Sequence, residues 1–307
     1  MTTEIVDKVG PPAFVPVADS SFDSAKARMT RRGIRARPIV DPVLRSLLGW
    51  ETLLVLAIFP LPATVAALAD LASHWWPEAL LSRGGDLLPN QPFLSVVFEL
   101  GFQAIALAGA GIVLYLLVRT GEGIGAIGLG GHRLRMDLAL VMPVWVFAQW
   151  IPQAVGKGLV VAWHLTTFYP TSSGVTSDYL ALGLAASLFA GVLEEIVVLG
   201  YLVRRLEQRG WSVPWVAAIA IAVRVSYHLY YGPGVVPIVL WATASVLLYL
   251  KIRRLLPFIL CHVAWDAQVT IGVHNHSSAL AFSGLFFLLS IVMAVAWRKW
   301  HPAPAVP

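Results

Sequence analysis

Two adjacent carboxylates, Glu194 and Glu195, stand in the middle of a long apolar run from Leu180 to Val203. A run of this length is typical of a membrane-spanning helix. Ionisable side chains are costly at such a depth, and those found there generally serve a function and have a partner. The pair is therefore the first candidate for chemistry, and its partners are expected on other apolar segments.

Two further apolar segments each carry a pair of titratable residues. Arg224 and His228 are four residues apart, and so are His262 and Asp266. Residues at this spacing project from one face of a helix. Three helices with two titratable groups each predict one polar cavity shared among them.

The three segments, taken in chain order, carry a recognisable pattern. The motifs are Glu194-Glu195-x-x-x-Leu199, Arg224-x-x-x-His228 and His262-x-x-x-Asp266, and the first continues into Gly200-Tyr201-Leu202. In order and spacing they resemble the CAAX prenyl endopeptidase and bacteriocin-processing family of intramembrane proteases (CPBP, also called ABI). The resemblance covers about residues 179–272 and implies a polytopic helical membrane fold with peptidase activity.

Three positions depart from the family pattern. Leu199 stands where the family has arginine, Arg224 where it has phenylalanine, and Asp266 where it has asparagine. In one interpretation, Arg224 supplies the guanidinium from the facing helix and pairs with Glu195 or Asp266. In the other, the chain has lost a required residue and is a non-proteolytic relative. We expect activity to be retained, because both glutamates and both histidines are present.

The resemblance also implies roles for these side chains. Glu194, helped by His228, would activate the attacking water, and His262 with Asp266 would hold the oxyanion or position the substrate carbonyl. From the residues alone this division is plausible, since a carboxylate with an imidazole makes a base that works near neutral pH. An ionised Asp266 suits an oxyanion site less well than asparagine, so it could instead orient His262, be protonated or pair with Arg224. Glu195 is expected to hold helices together.

No cofactor is predicted. Two glutamates and two histidines could bind zinc, but the sequence has no His-Glu-x-x-His helix, and the family it resembles uses glutamate without metal. Zinc is therefore the less favoured alternative. Cys261 is the only cysteine, which excludes an intramolecular disulfide.

The elements that must position these residues are helices in a membrane. The chain is 58% hydrophobic and 13% charged, and apolar windows of spanning length recur along it, which predicts an all-α, polytopic membrane bundle. The predicted spans are about 44–71, 93–118, 138–163, 179–203, 213–230, 235–250, 256–273 and 280–297. The first of them is predicted to be interrupted by Pro60 and Pro62. They form a membrane domain over 42–300, with a catalytic core at about 179–272.

Charge predicts the orientation of this bundle. The cationic clusters fall in alternate connections, as the positive-inside rule requires, so both termini are expected on the cytoplasmic side of an inner membrane. These clusters are Arg119/Arg133/Arg135, Arg204/Arg205/Arg209, Lys251/Arg253/Arg254 and Arg298/Lys299, together with the arginines of the N-terminal tail. Residues 1–41 are predicted to be a disordered basic tail, and 301–307 a short C-terminal tail.

The leading hypothesis is an intramembrane endopeptidase that cuts a membrane-associated peptide or protein. The alternative is a catalytically silent membrane scaffold or bacteriocin-immunity-type protein on the same frame. A proton-coupled transporter is less favoured, because no inverted repeat is visible. Expected partners are membrane lipids and a membrane-proximal peptide substrate, with no nucleic acid. The oligomeric state is left open.

Overall fold

The structure is a computed structural model that describes residues 35–75, 92–130, 134–168 and 180–300. All of these belong to one compact unit, and no strand occurs among them. The prediction of an all-α fold is therefore confirmed for the described chain. Residues 1–34 and 301–307, which hold most of the two predicted tails, lie outside the described residues, as do Arg133 and the connection at 169–179.

Besides a 3-10 turn at Ile124–Ile127, the described residues of the first half of the chain form four helices. These are α1 (Pro42–Ile58), α2 (Pro60–Trp75), α3 (Pro92–Arg119) and α4, which consists of Leu134–Val144, a π-helical turn at Trp145–Trp150 and Ile151–Ala162. Asp41 caps α1 with its carboxylate. The π-helical turn of α4 lies between Pro143 and Pro152, where a missing N–H disturbs the regular ladder.

The second half forms the helices that carry the candidate residues. These are α5, which consists of Leu180–Glu194, a π-helical stretch at Glu195–Leu202 and Val203–Gln208, then α6 (Val213–Ser226), α7 (Val236–Ile252), α8 (Leu256–His274) and α9 (His276–Trp300). A 3-10 segment, Leu229–Val235, joins α6 to α7. All eight residues of the π-helical stretch of α5 are buried, so this helix forms the centre of the bundle.

Within the described residues, three helices are long and apolar enough to cross a membrane, namely Met136–Ala162, Leu180–Gln208 and Leu229–Ile252. The number rises to four if α1 and α2, bent by 41° at their junction, count as one broken span. Large apolar side chains such as Trp50 and Val161 are 70% and 73% exposed on the outer surface. These features are typical of a multi-pass membrane protein, while the predicted count of eight spans stays a prediction.

The first predicted span is interrupted near Pro60, as the sequence predicts, because α1 ends at Ile58 and α2 begins at Pro60. One predicted boundary needs correction. The fifth span, predicted to reach Tyr230, ends at Ser226, and the chain then turns through Gly232, whose φ is 59°, and Pro233. Glycine adopts this left-handed conformation without strain and proline cannot continue a helix, so the turn is encoded locally.

Candidate active site

The two adjacent glutamates of α5 face different surroundings. Neighbouring residues on a helix point about 100° apart, so Glu194 and Glu195 cannot serve one site equally. Glu195 is 1% exposed, whereas Glu194 is only partly buried and lines a cavity. The structure thus separates the pair into an internal carboxylate and one that is open to the cavity.

Glu195 is held in a buried ion pair. A single oxygen, Oε1, lies 2.8 Å from a guanidinium nitrogen of Arg224 and 2.8 Å from Nδ1 of His262. The Arg224 side chain is completely buried, and its guanidinium lies 4.6 Å from the centre of the Trp241 ring. Because isolated charges are very costly inside a protein, each of these groups makes the burial of the other possible. Glu195 therefore ties α5 to α6 and α8.

His262 lies between two carboxylates. Its Nδ1 faces Glu195, and its Nε2 lies 3.4 Å from Oδ2 of Asp266, one helical turn further along α8. Asp266 is the more open of the two, since 34% of its side chain is exposed. The sequence left open whether Asp266 orients His262, is protonated or pairs with Arg224. In the structure Asp266 contacts His262. Arg224 pairs with Glu195 instead.

His228 stands on the turn that follows α6 and not on the helix. The prediction that Arg224 and His228 share one helical face is wrong, because α6 ends between them. Arg224 points to the buried Glu195, whereas His228 lines the cavity. The Nδ1 atom of His228 lies 2.9 Å from the carbonyl oxygen of Arg224. A carbonyl only accepts hydrogen bonds, so Nδ1 donates here and Nε2 is left for the cavity.

Tyr227 contacts Glu194, and the sequence did not predict this contact. Its hydroxyl donates a hydrogen bond to Oε2 of Glu194 over 2.9 Å. The residue lies inside the second motif, between Arg224 and His228, but its spacing gives no indication of this contact. Glu194 is thereby oriented by a neutral donor, which leaves its other oxygen available.

One cavity of about 410 Å³ joins these groups. Of the predicted site residues, Glu194, His228, His262 and Asp266 line it together, while Glu195 and Arg224 do not. The other polar or aromatic residues that line it were not singled out from the sequence, and they are Gln149, Gln153, Ser187, Tyr230, Tyr231, Trp241, Trp265 and Thr270. Residues from three separate segments of the chain therefore converge on one cavity.

A second cavity, of about 250 Å³, adjoins the first across α5. Its walls are mainly apolar, and it shares Glu194 with the larger cavity. Phe59, Phe189 and Val197 are among its lining residues. Glu194 therefore stands between a polar and an apolar compartment.

Within the described part of the chain, no three His, Cys, Asp or Glu side chains are arranged so that they could hold a metal ion. The two cavity histidines have other contacts, since Nδ1 of His228 lies 2.9 Å from a carbonyl oxygen and both nitrogens of His262 lie near carboxylates.

A protein-family model matches the part of the chain that carries most of these side chains. The family model that matches is described as Type II CAAX prenyl endopeptidase Rce1-like, and the match covers residues 176–268. This stretch is similar to Rce1-like domains. No curated protein and no solved structure matches the chain.

The matched stretch contains all six predicted site residues. It runs from just before α5 to Gln268 on α8, so it includes the 3-10 segment and α7 as well. Gln149 and Gln153 lie outside it, on α4. The cavity is therefore completed by a helix that the family match does not cover.

Proposed function

We propose that this protein is an intramembrane endopeptidase that hydrolyses a membrane-associated peptide or protein. The observation that carries the proposal is the convergence of Glu194, His228, His262 and Asp266 on one cavity, in a stretch of the chain that is similar to Rce1-like domains. The Rce1-like family is a peptidase family, which gives the reaction class. The residues of this chain give the assignment of roles.

Glu194 and His228 form the water-activating pair in this proposal. The carboxylate of Glu194 is held by the Tyr227 hydroxyl through one oxygen, so the other oxygen can accept a hydrogen bond from water. His228 presents Nε2 to the cavity, because Nδ1 is engaged by the Arg224 carbonyl. Proton abstraction by groups positioned in this way is general base catalysis, and the activated water attacks the scissile carbonyl.

His262 stabilises the oxyanion that forms. Its Nδ1–H donates to Glu195, and a second carboxylate, Asp266, lies 3.4 Å from Nε2. In this proposal the ring between the two carboxylates is the imidazolium, whose Nε2–H points toward the cavity. A donor that is already oriented costs no reorganisation during the reaction, which is the basis of oxyanion stabilisation. Asp266 orients this ring at Nε2. Glu195, which is paired with Arg224, positions the ring at Nδ1. The proposal involves no cofactor, so a chelator should leave cleavage unchanged.

A peptide-cleavage assay tests the proposal. The full-length protein in lipid nanodiscs is offered a peptide library, and the wild type is compared with Glu194→Gln and His228→Gln. Each substitution is expected to lower kcat/KM by about 10²- to 10⁴-fold, because it removes general base catalysis. Thr243→Ala is the matched control, since its hydroxyl contacts only the Val239 carbonyl of its own helix.

The outcomes separate this function from its alternatives. Cleavage that survives both substitutions would contradict the roles assigned to Glu194 and His228. If the wild type cleaves nothing while a protein partner co-purifies with it, the silent scaffold is the better explanation. Loss of cleavage on adding a chelator, restored by zinc, would overturn the metal-free chemistry.

We also propose the membrane arrangement in full. The bundle has eight spans in an inner membrane, and both termini are cytoplasmic. Support comes from the cationic clusters, which are brought together through ion pairs. Arg205 pairs with Glu51 at 3.0 Å and with Glu122 at 3.1 Å, and Arg253 pairs with Glu207 at 2.5 Å. Clusters from separate connections gather at one end of the bundle, as the positive-inside rule leads us to expect.

A further inference from the structure

Helix α4 presents a row of four side chains, each four residues after the last. The row is Trp145, Gln149, Gln153 and Lys157, and this spacing places them along one face of a helix. Both ends of the row contact the same residue of α8. The Trp145 ring lies 5.8 Å from the Trp265 ring, and Nζ of Lys157 lies 5.5 Å from its centre. The two glutamines therefore occupy the middle of a face that is anchored on α8.

Both glutamines are buried, yet neither has a partner within the described chain. Gln149 is 3% and Gln153 is 6% exposed, both line the cavity, and no hydrogen bond joins either carboxamide to another described residue. The carboxamides line the cavity, so groups that enter it can hydrogen-bond to them. These groups are water in the free protein and substrate in the complex.

The backbone that carries the glutamines is held rigidly. Gly156, three residues after Gln153, is in direct contact with the backbone of Pro237 at the start of α7, and a Cβ atom at this glycine would collide with it. Close backbone contact of this kind fixes the distance between two helices. The carboxamides are thus presented from a fixed platform, as is needed for groups that orient a ligand.

We propose that Gln149 and Gln153 bind the main chain of the substrate in an extended conformation and place its scissile carbonyl at Glu194. This rests on the peptidase function proposed above. Four residues of helix rise by ~6 Å, and same-side groups of an extended chain repeat every ~6.6 Å. The two carboxamides therefore match two peptide groups that are two residues apart.

Carboxamides suit a peptide main chain better than they suit a particular side chain. Each provides an N–H₂ donor and a carbonyl acceptor, which together complement the carbonyl and the N–H of a peptide group. They are uncharged, so they add no charge to a cavity that already contains carboxylates. The glutamines are positioning residues that read the extended backbone of the substrate, and they take no part in bond breaking.

Substitution by methionine tests the proposal, because methionine keeps the length of the side chain and removes the amide. A peptide that the wild type cleaves is used with the full-length double variant Gln149→Met/Gln153→Met in nanodiscs. KM is expected to rise roughly 10- to 100-fold, as expected for peptide groups left without partners, while kcat changes by less than about three-fold. Gln268→Met on α8 is the control, since Gln268 lines neither described cavity.

A scan of backbone N-methylation distinguishes positioning from a general structural effect. In the wild type, N-methylation at one or two amides of the peptide should raise KM, because those N–H groups are bound by the glutamine carbonyls. In the double variant, methylation at the same amides should have no further effect. If the glutamines had only a structural role, the double variant would have a lower kcat, a lower kcat/KM and a lower melting temperature. Its KM would still respond to methylation of the peptide as that of the wild type does.

The outcomes keep the two proposals apart. If the wild type cleaves the peptide and the double variant has the same KM and the same methylation profile, the glutamine proposal is overturned and the peptidase proposal stands. If the wild type cleaves no peptide and the full-length Glu194→Gln protein binds none of the fluorescent library peptides, the peptidase proposal fails and the glutamine proposal fails with it.

Discussion

At the scale of single residues, the charge balance around Glu195 explains how the chain accommodates Leu199. The family pattern has arginine at this position, but here Leu199 is completely buried in the apolar core. The guanidinium that pairs with Glu195 belongs to Arg224 on α6 instead. The ion pair therefore joins two helices, where an arginine four residues after Glu195 would have joined two turns of one helix.

Removal of this guanidinium should destabilise the fold. Arg224→Met leaves Glu195 as a buried charge with only His262 to balance it, and breaking a buried pair costs about 3–5 kcal/mol. The double variant Arg224→Met/Glu195→Gln should recover part of this loss, because no unpaired charge remains. Thermal unfolding in nanodiscs measures both variants. Strictly additive losses in the double variant would contradict a direct pair.

The titratable members of the cavity could be predicted from the sequence, whereas most of its other members could not. Glu194, His228, His262 and Asp266 stand out because charged groups are rare in apolar runs and because their spacing resembles that of a family. Tyr227 and Trp241 meet the site through contacts between elements that no spacing encodes. Gln149 and Gln153 are four residues apart, a spacing that indicates one helical face. They lie outside the family pattern, so the sequence did not connect them with the site.

At the scale of elements, the site depends on how closely α5 and α8 approach. Gly191, one turn before Glu194 and Glu195, faces the backbone of Val263, the residue that follows His262. A Cβ atom at Gly191 would lie 2.8 Å from the Val263 nitrogen and 2.6 Å from its Cγ2 atom. Only a glycine permits this approach, so the contact sets the separation of the glutamates from His262. The predicted end of α6 was wrong because the hydropathy continues beyond Ser226.

Gly191→Ala should therefore impair activity and stability together. Backbone atoms cannot move aside as a flexible side chain can, so α8 must shift, at a cost of about 1–3 kcal/mol for overpacking. The melting temperature should fall, and kcat/KM should fall with it as His262 moves relative to Glu194. Gly111→Ala on α3 is the matched control, because a Cβ atom there meets nothing within 4 Å. Equal behaviour of the two variants would mean that the approach at Gly191 is unimportant.

At the scale of the whole molecule, ion pairs near the helix ends hold together segments that are distant in the chain. Glu207, whose side chain is fully buried, pairs with Arg253 and lies 3.7 Å from Arg35. Its Oε2 also accepts a hydrogen bond from the backbone of Ala36, and Asp137 pairs with Arg254. Arg35 and Ala36 thus bind to the end of α5, although the sequence analysis predicted that residues 1–41 are disordered. Long-range pairs of this kind cannot be predicted from local composition.

The proposed orientation can be tested on the two ends of α8. Lys251 and Asn275 are both exposed, and they lie close to the start and the end of this helix, which is proposed to cross the membrane. The only native cysteine, Cys261, is buried, so the wild type should stay unlabelled by a maleimide that cannot cross membranes.

In sealed right-side-out vesicles, Asn275→Cys should be labelled directly, and Lys251→Cys only after the membrane is opened. Labelling of both on the same side would mean that α8 does not cross, and the reverse pattern would invert the proposed topology. The expected result follows from Lys251, Arg253 and Arg254, because a cationic cluster is retained on the cytoplasmic side during insertion.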